Sequence, residues 1–268
     1  MYDVLTLWRH NLLDLFDTAL VGVKSSAGGI TIDDTDLKAY WKFNEASGDI
    51  INVSEDTADL GTGADFQVTG ATYGATGIIG DALSFDGTND FAEAGSSTSQ
   101  FNFLHNQSFL FTISWWSKRD AWDSSNEIIF STANEGASSH TGILIRYAST
   151  NGSMNINFPN GTNMNRYFNT FTGLTQDTDW HHFVLTGDVS DATDTLELWQ
   201  DGVSLGTTAK ASSTFSNNNA SDTLHISQTG ASSQWRAGDM DETAIFNRRV
   251  SDSEVADLYN SGSGTEIY

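Results

Sequence analysis

The sequence has no cysteine and a single proline, against 24 glycines. Without thiols there is no disulfide framework, no thiolate metal site and no cysteine nucleophile. Basic residues are also scarce: 12 Lys+Arg stand against 35 Asp+Glu, a formal net charge of −23. A nucleic-acid-binding face needs Lys and Arg to displace phosphate counterions, and an anionic membrane surface repels so acidic a chain. Neither is expected as a partner. No stretch approaches the ~20 apolar residues of a membrane span, so no membrane insertion is expected. Asp3 stands where a secretory leader would carry positive charge, and Arg9, His10, Asn11, Asp14 and Asp17 interrupt the apolar residues around them. A cleaved leader is therefore not expected. What the chain does have is apolar surface. With 38% hydrophobic and 12% aromatic residues, including 8 Trp and 16 Phe, it can bury a large core.

Two patterns divide the chain. Met1, Leu5, Trp8, Leu12, Leu15 and Ala19 recur at alternating spacings of four and three, and Val4, Phe16 and Val23 widen the stripe. The spacing predicts an amphipathic helix over 1–23, followed by a glycine-rich hinge at Lys24 to Gly29. Leu5, Trp8, Leu12, Leu15 and Phe16 either pack on the helix's own domain or form a docking and oligomerisation seam. Residues 1–36 are read as this arm and residues 37–268 as one domain.

Beyond residue 37 the period becomes two. Phe109, Phe111, Ile113 and Trp115 alternate with Leu110, Thr112, Ser114 and Trp116. Ile143, Ile145 and Tyr147 are followed by Asn151-Gly152 and then Met154, Ile156 and Phe158, which reads as a hairpin. Leu196 and Leu198 run into Asp201-Gly202 and Val203 to Leu205, a second hairpin. Many short strands with Gly, Asn and Asp turns predict an all-β, two-sheet antiparallel sandwich. A short C-terminal helix closes it, with Ser251 and Glu254 as a capping box and Val250 and Val255 as a hydrophobic staple. Trp41, Phe43, Phe85, Phe111, Ile113, Trp115, Val184 and Leu198 are the expected core.

Six blocks in order carry a family resemblance. They are Tyr40-Trp41-Lys42-Phe43-Asn44-Glu45-Ala46-Ser47-Gly48, Gly80 to Phe91 (GDALSFDGTNDF), Phe111 to Trp116 (FTISWW), Trp180-His181-His182-Phe183, Leu198 to Gly202 (LWQDG), and Asp241 to Arg248 followed by Ser251 to Tyr259. Together they resemble laminin-G-like, concanavalin-A-like jelly-roll domains over about residues 38–262. The resemblance implies a jelly roll and, as in laminin-G-like and pentraxin-like domains, calcium held by loop oxygens. Asp86, Asn89 and Asp90 cluster in one turn, and Asp239 and Asp241 share a strand face. These five oxygen donors are the candidate Ca²⁺ ligands, with turn stabilisation as the alternative role of Asp86 and Asn89. The segment Val53-Ser54-Glu55-Asp56-Thr57 departs from the family's Asp-x-Ser-Gly loop.

Enzyme signals are lacking. Glycosidases on a related sandwich use Glu-x-Asp-x-x-Glu on one strand, and no Glu here has Asp two residues on. Gly-x-Ser-x-Gly, His-Glu-x-x-His and a phosphate loop are likewise missing. His181 and His182 are neighbours on a strand, point to opposite faces and are not expected to share an ion. Trp122, Tyr167 and Trp235 lie in polar, loop-like surroundings and are the candidate sugar platforms. The expected role is a non-catalytic surface protein displaying one jelly roll. The architecture points first to a virion component, a head-decoration or fibre protein of a tailed virus at the virion surface. Its partners would be capsid or fibre proteins, further copies of itself as a trimer, and glycans. The alternative is a lectin-like adhesion module of an exported or cell-surface protein.

Overall fold

The computed structural model describes residues 30–56, 59–122, 125–135, 137, 140–148, 152–161, 169–190, 195–208 and 215–268. The helix expected over 1–23 and its hinge, with Leu5, Trp8, Leu12, Leu15 and Phe16, lie outside them, as does Tyr167.

The described strands form two antiparallel sheets. The first sheet runs β13 (Val203–Thr208), β12 (Leu196–Gln200), β11 (His181–Asp188), β6 (Leu110–Arg119), β15 (Ala237–Phe246), β4 (Asp81–Asp86), β3 (Thr72–Thr76). β1 (Leu37–Trp41) joins it beside the last residues of β15, Thr243 to Phe246, while β4 pairs with Ala237 to Met240. The second sheet runs β10 (Asn169–Thr172), β9 (Ser153–Asn157), β8 (Leu144–Tyr147), β7 (Glu127–Ser131), β14 (Leu224–Ile226), β5 (Phe91–Ala94), β2 (Phe66–Thr69). Both predicted hairpins form: β8 pairs with β9 and β12 with β13. In the second, Asp201 at φ 54° and Gly202 at φ 74° are both left-handed, as a tight two-residue turn requires.

The aromatic residues make the layer between the sheets. Trp115 is wholly buried, stacked on Phe183 at 5.4 Å and edge-on to Phe130 at 5.4 Å. Phe109, Phe111 and Ile113 share this layer. The alternate residues of β6 face the other way, where Thr112 bonds the Arg248 carbonyl, Ser114 meets His182 and Trp116 stacks on Tyr259. All eight expected core residues are buried, but Val184 belongs to a second apolar cluster, on the outside of the first sheet.

That second cluster is covered by α1 (Asp252–Tyr259), whose Ser251–Glu254 capping box is present, and by the C-terminal tail through Ile267. Val250 and Val255 are both in it. The residues before β1 belong there too. Ile32 is buried in the cluster, and Arg248 donates to the Thr35 carbonyl at 2.8 Å. The sandwich therefore includes residues 30–36, which the sequence pattern groups with the arm; Ile32 and the Asp33 and Thr35 carbonyls find partners against the first sheet. No helix among the described residues is long and apolar enough to cross a membrane.

Candidate functional site

The two outer faces of the sandwich differ in chemistry. The first sheet's outer face is closed by the apolar cluster under α1 and the tail. The second sheet presents polar residues on strand after strand. On β5, core residues Ala92 and Ala94 flank Glu93, and on β14, Leu224 and Ile226 flank His225. Strand alternation turns Glu93 and His225 outward. Gln67 of β2 pairs with Glu93, Glu93 with His225, and His225 with Ser131 of β7. At the usual spacing between strands these four make a row about 14 Å long.

A second polar group lies across β8 to β10, offset from the first row, whose Ser131 pairs with the buried Leu144 while Arg146 pairs with the buried Ile128. Arg146 pairs with Asn155 and Asn155 with Thr170, whose Oγ1 donates to Asn155 Oδ1 at 3.0 Å. Arg146 Nη1 donates to Gln234 Oε1 at 3.2 Å, and Gln234 Nε2 donates to Glu135 Oε2 at 2.6 Å. Burial lowers the Arg146 guanidinium from its ordinary range, with Glu135 acting against the shift. Its Nε is buried without a hydrogen-bond partner.

At the β2–β5 edge the row opens into a cleft of about 220 Å³. Asp49, Asp65, Glu93, Gln67, Thr62 and Ser96 line it, so it offers three carboxylates and no basic side chain. Such a wall accepts hydrogen bonds from hydroxyls or amines and repels anions.

The residues proposed from sequence as calcium ligands do not converge. Asp86 Oδ1 accepts from the backbone N–H of Thr88 at 2.8 Å and of Asn89 at 3.4 Å, and Asp90 Oδ2 accepts from Asp86 N–H at 2.9 Å. These carboxylates hold the β4–β5 turn. Ala237 pairs with Asp86, so Asp241 stands four residues further along β15, about 13 Å away. Asp239 lies 3.5 Å from Lys118 Nζ. Asp241 Oδ2 accepts from Ile78 and Ile79 N–H at 2.7 and 3.1 Å, and its Oδ1 from Glu242 N–H at 2.8 Å. The five residues serve separate hydrogen bonds and ion pairs, and as one set they do not fit a calcium ion.

Trp122 packs inward. Arg119 covers one face of its ring at 4.3 Å, Tyr147 meets it edge-on at 5.5 Å, and Nε1 donates to the Asp177 carbonyl at 2.5 Å. It is a buttress of the core rather than an open platform. Trp235 is half-buried beside Gln234, and its Nε1 has no partner. The histidines separate as their strand positions require. His181 is held between Asp177 at 2.8 Å and Asp201 at 2.7 Å. His182 is buried against Ser114 Oγ at 2.9 Å.

A buried acid pair, Asp241–Glu242, sits where β15 slips register against β6, with Glu242 at φ 44°. Burial pushes Asp241 up to about 7, against its three backbone donors, and raises Glu242 well above the usual carboxylate range. The Tyr40 hydroxyl donates to Glu242. The adjoining cavity, lined by Tyr40, Ser114, His182, Glu242 and Ile267, is only about 10 Å³. It has no room for a substrate.

The fold agrees with the comparisons. The family model described as "Concanavalin A-like lectin/glucanases superfamily" matches residues 86–256. The chain belongs to that superfamily. Its solved relatives share the fold at low identity. Trypanosoma rangeli sialidase in complex with sialic acid is 15% identical, with a TM-score of 0.59 over 98% of this chain and 40% of that one. Domain 4 of AbnA, an extracellular arabinanase from Geobacillus stearothermophilus, in complex with arabinotriose, is 16% identical, with a TM-score of 0.57 over 84% of this chain and 98% of that domain. The binding domain of botulinum neurotoxin DC in complex with SialylT is 14% identical, with a TM-score of 0.59 over 85% of this chain and 52% of that one. The chain spans about two fifths of the length of the sialidases it matches. No curated protein sequence matches it.

Sequence reasoning missed Gln67, Glu93, Arg146, Asn155, Asp222 and His225. A signal was there: Ala-Glu-Ala at 92–94 and Leu-His-Ile at 224–226 each place one polar residue between two core residues. That two such segments, so far apart in sequence, are adjacent strands is set by the sheet order.

Proposed function

We propose that the protein is a non-catalytic glycan-binding module and that the polar outer face of the second sheet is its binding surface. The observation that carries this reading is the polar β2–β5 cleft, with Gln67 exposed and Glu93 half-buried on its wall, and the separate polar group of Arg146, Asn155 and Thr170 on the same face. Sugar hydroxyls both donate and accept, and this face supplies amides, carboxylates, a guanidinium and hydroxyls. The sugars named with the arabinanase domain, the sialidase and the neurotoxin domain support the ligand class by analogy of fold.

Charge narrows the class. A net charge of −23 and the carboxylates of Asp49, Asp65 and Glu93 oppose an anionic ligand. Neutral saccharides are the expected ligands. The non-catalytic reading is supported by the closed Asp241–Glu242 pair, which no substrate can reach, and by the missing glycosidase strand motif. A labelled full-length protein screened on an array of neutral and sialylated glycans tests the reading. Retention of neutral glycans supports it. Retention confined to sialylated glycans would overturn the charge argument, and no retention would overturn the ligand class.

The virion setting, with capsid or fibre proteins and like chains as partners, rests on the apolar stripe of residues 1–23. It is the second reading. The same module would then be displayed on an assembly, and its genomic neighbours would be capsid and tail genes.

A further inference from the structure

On the same polar face, but resting on a different observation from the glycan reading, one cluster on the second sheet has the composition of a transition-metal site. Glu93 and His225 face each other across the β5–β14 pairing, and Asp222 reaches in from just before β14. One ligand atom from each lies within 4.8 Å of the other two. His225 Nε2 is 3.3 Å from Asp222 Oδ1. Thr223 Oγ1 sits among all three, 2.7 Å from Glu93 Oε1, 3.4 Å from His225 Nε2 and 3.5 Å from Asp222 Oδ1.

Two of the three ligands are held from behind. Asn134 Nδ2 donates to Asp222 Oδ2 at 3.2 Å, and Gln228 Nε2 contacts His225 Nδ1 at 3.3 Å. The backing of His225 is itself buried: Gln228 is 3% exposed, and its Oε1, on the same amide that meets the imidazole, has no hydrogen-bond partner. Turning that amide over brings Oε1 to Nδ1, where it accepts Nδ1–H. This fixes the tautomer whose Nε2 lone pair faces the two carboxylates, which is the form a metal requires. Gly230 makes room for the carboxylate, since a Cβ there would fall 1.6 Å from Asp222 Oδ2.

We infer that Glu93, Asp222 and His225 bind one divalent first-row transition-metal ion of the Zn²⁺ type, with Thr223 as a neighbouring oxygen donor. The donor set decides the class. An imidazole nitrogen with two carboxylates suits Zn²⁺ and its neighbours, whereas Ca²⁺ takes oxygen alone. Bonds of about 2.0–2.1 Å at a tetrahedral angle put ligand atoms about 3.3 Å apart, the His225–Asp222 separation found here. Bringing two carboxylates beside a buried imidazole in a chain of this charge is offset when a cation lies between them. Glu93 also walls the cleft, so the ion has a route from solvent.

The test is titration calorimetry on untagged, full-length, chelator-treated protein, with ZnCl2 and, separately, CaCl2. One Zn²⁺ per chain is expected, with a micromolar or tighter Kd and a raised melting temperature. Glu93→Gln, at a half-buried position, and Asp222→Asn, which is isosteric, should each weaken Zn²⁺ at least tenfold while the circular dichroism of the sheets is kept. The Gln67→Ala variant should bind Zn²⁺ as the parent does, which separates this site from the glycan surface. No Zn²⁺ binding by the parent protein would overturn the assignment. So would unchanged Zn²⁺ binding in both ligand variants, which would place the ion elsewhere, or Ca²⁺ binding as tight as Zn²⁺, which would remove the role of the imidazole.

Discussion

The Tyr40 hydroxyl donates to Oε2 of Glu242, joining the first strand of the sandwich to the last across 202 residues of sequence. The other carboxyl oxygen, Oε1, is buried without a hydrogen-bond partner. Burial holds both groups well above their ordinary ranges, so at neutral pH a protonated phenol faces a carboxyl that gives up its proton reluctantly. Tyr40→Phe removes the donor and should cost about 1–3 kcal/mol, read from the urea midpoint. Adding Glu242→Met to Tyr40→Phe should recover part of that loss, because the buried carboxyl is then gone and only the Ile267 N–H, which had donated to the Tyr40 hydroxyl at 3.4 Å, stays unmatched.

Asp241 gives the protein a pH dependence with a defined sign. Its carboxyl is pushed up to about 7 in the fold, against the ordinary aspartate value of about 3.9 when unfolded. Between about pH 4 and 7 the folded chain therefore binds more protons, and stability present below that window is lost as pH rises through it. His182 works the other way. Burial holds its imidazole down to about 3, so stability is lost as pH falls below about 6.5. Asp241→Asn should gain on the parent protein by up to about 4 kcal/mol between pH 4 and 8. Parallel urea-midpoint curves for the two proteins would contradict the assignment.

Trp115 is wholly buried between Phe130 and Phe183. Trp115→Ala should cost about 3–5 kcal/mol in chemical denaturation. A loss below 1 kcal/mol would mean that the inter-sheet layer closes over the cavity.

Much of this architecture could be read from residue order. The alternation of β6 assigned Phe111, Ile113 and Trp115 to one face and Thr112, Ser114 and Trp116 to the other, because a strand has only two faces. Asp201-Gly202 marked its hairpin because both residues tolerate positive φ. Val184 was legible as buried but not as belonging to the outer cluster, since nothing local in the strand says which face α1 covers. The polar face was harder still. Glu93 and His225 meet only because β5 and β14 are neighbours in the sheet, a long-range pairing without a local signal. The acidic turn misled for the opposite reason: Asp86 and Asp90 have calcium-like chemistry but spend it on backbone N–H groups within four residues.

The arm makes a separate prediction. Among the described residues, both apolar clusters are built from positions 30–268. Deleting 1–29 should leave stability within about 0.5 kcal/mol of the full chain. If the stripe is an oligomerisation seam, sedimentation should show a trimer for the full chain and a monomer for the deletion. A monomer in both would remove the seam.

The central claim is that the second sheet's outer face binds neutral saccharides. The most direct measurement is titration calorimetry of an array-selected neutral oligosaccharide into the parent protein, Gln67→Ala and Arg146→Ala. Gln67 is exposed at the cleft and Arg146 half-buried on β8, so both substitutions spare the core. The account predicts saturable binding by the parent protein and at least a tenfold loss in each variant, with melting curves unchanged. Equal affinity in all three proteins would place the ligand on another surface and contradict it.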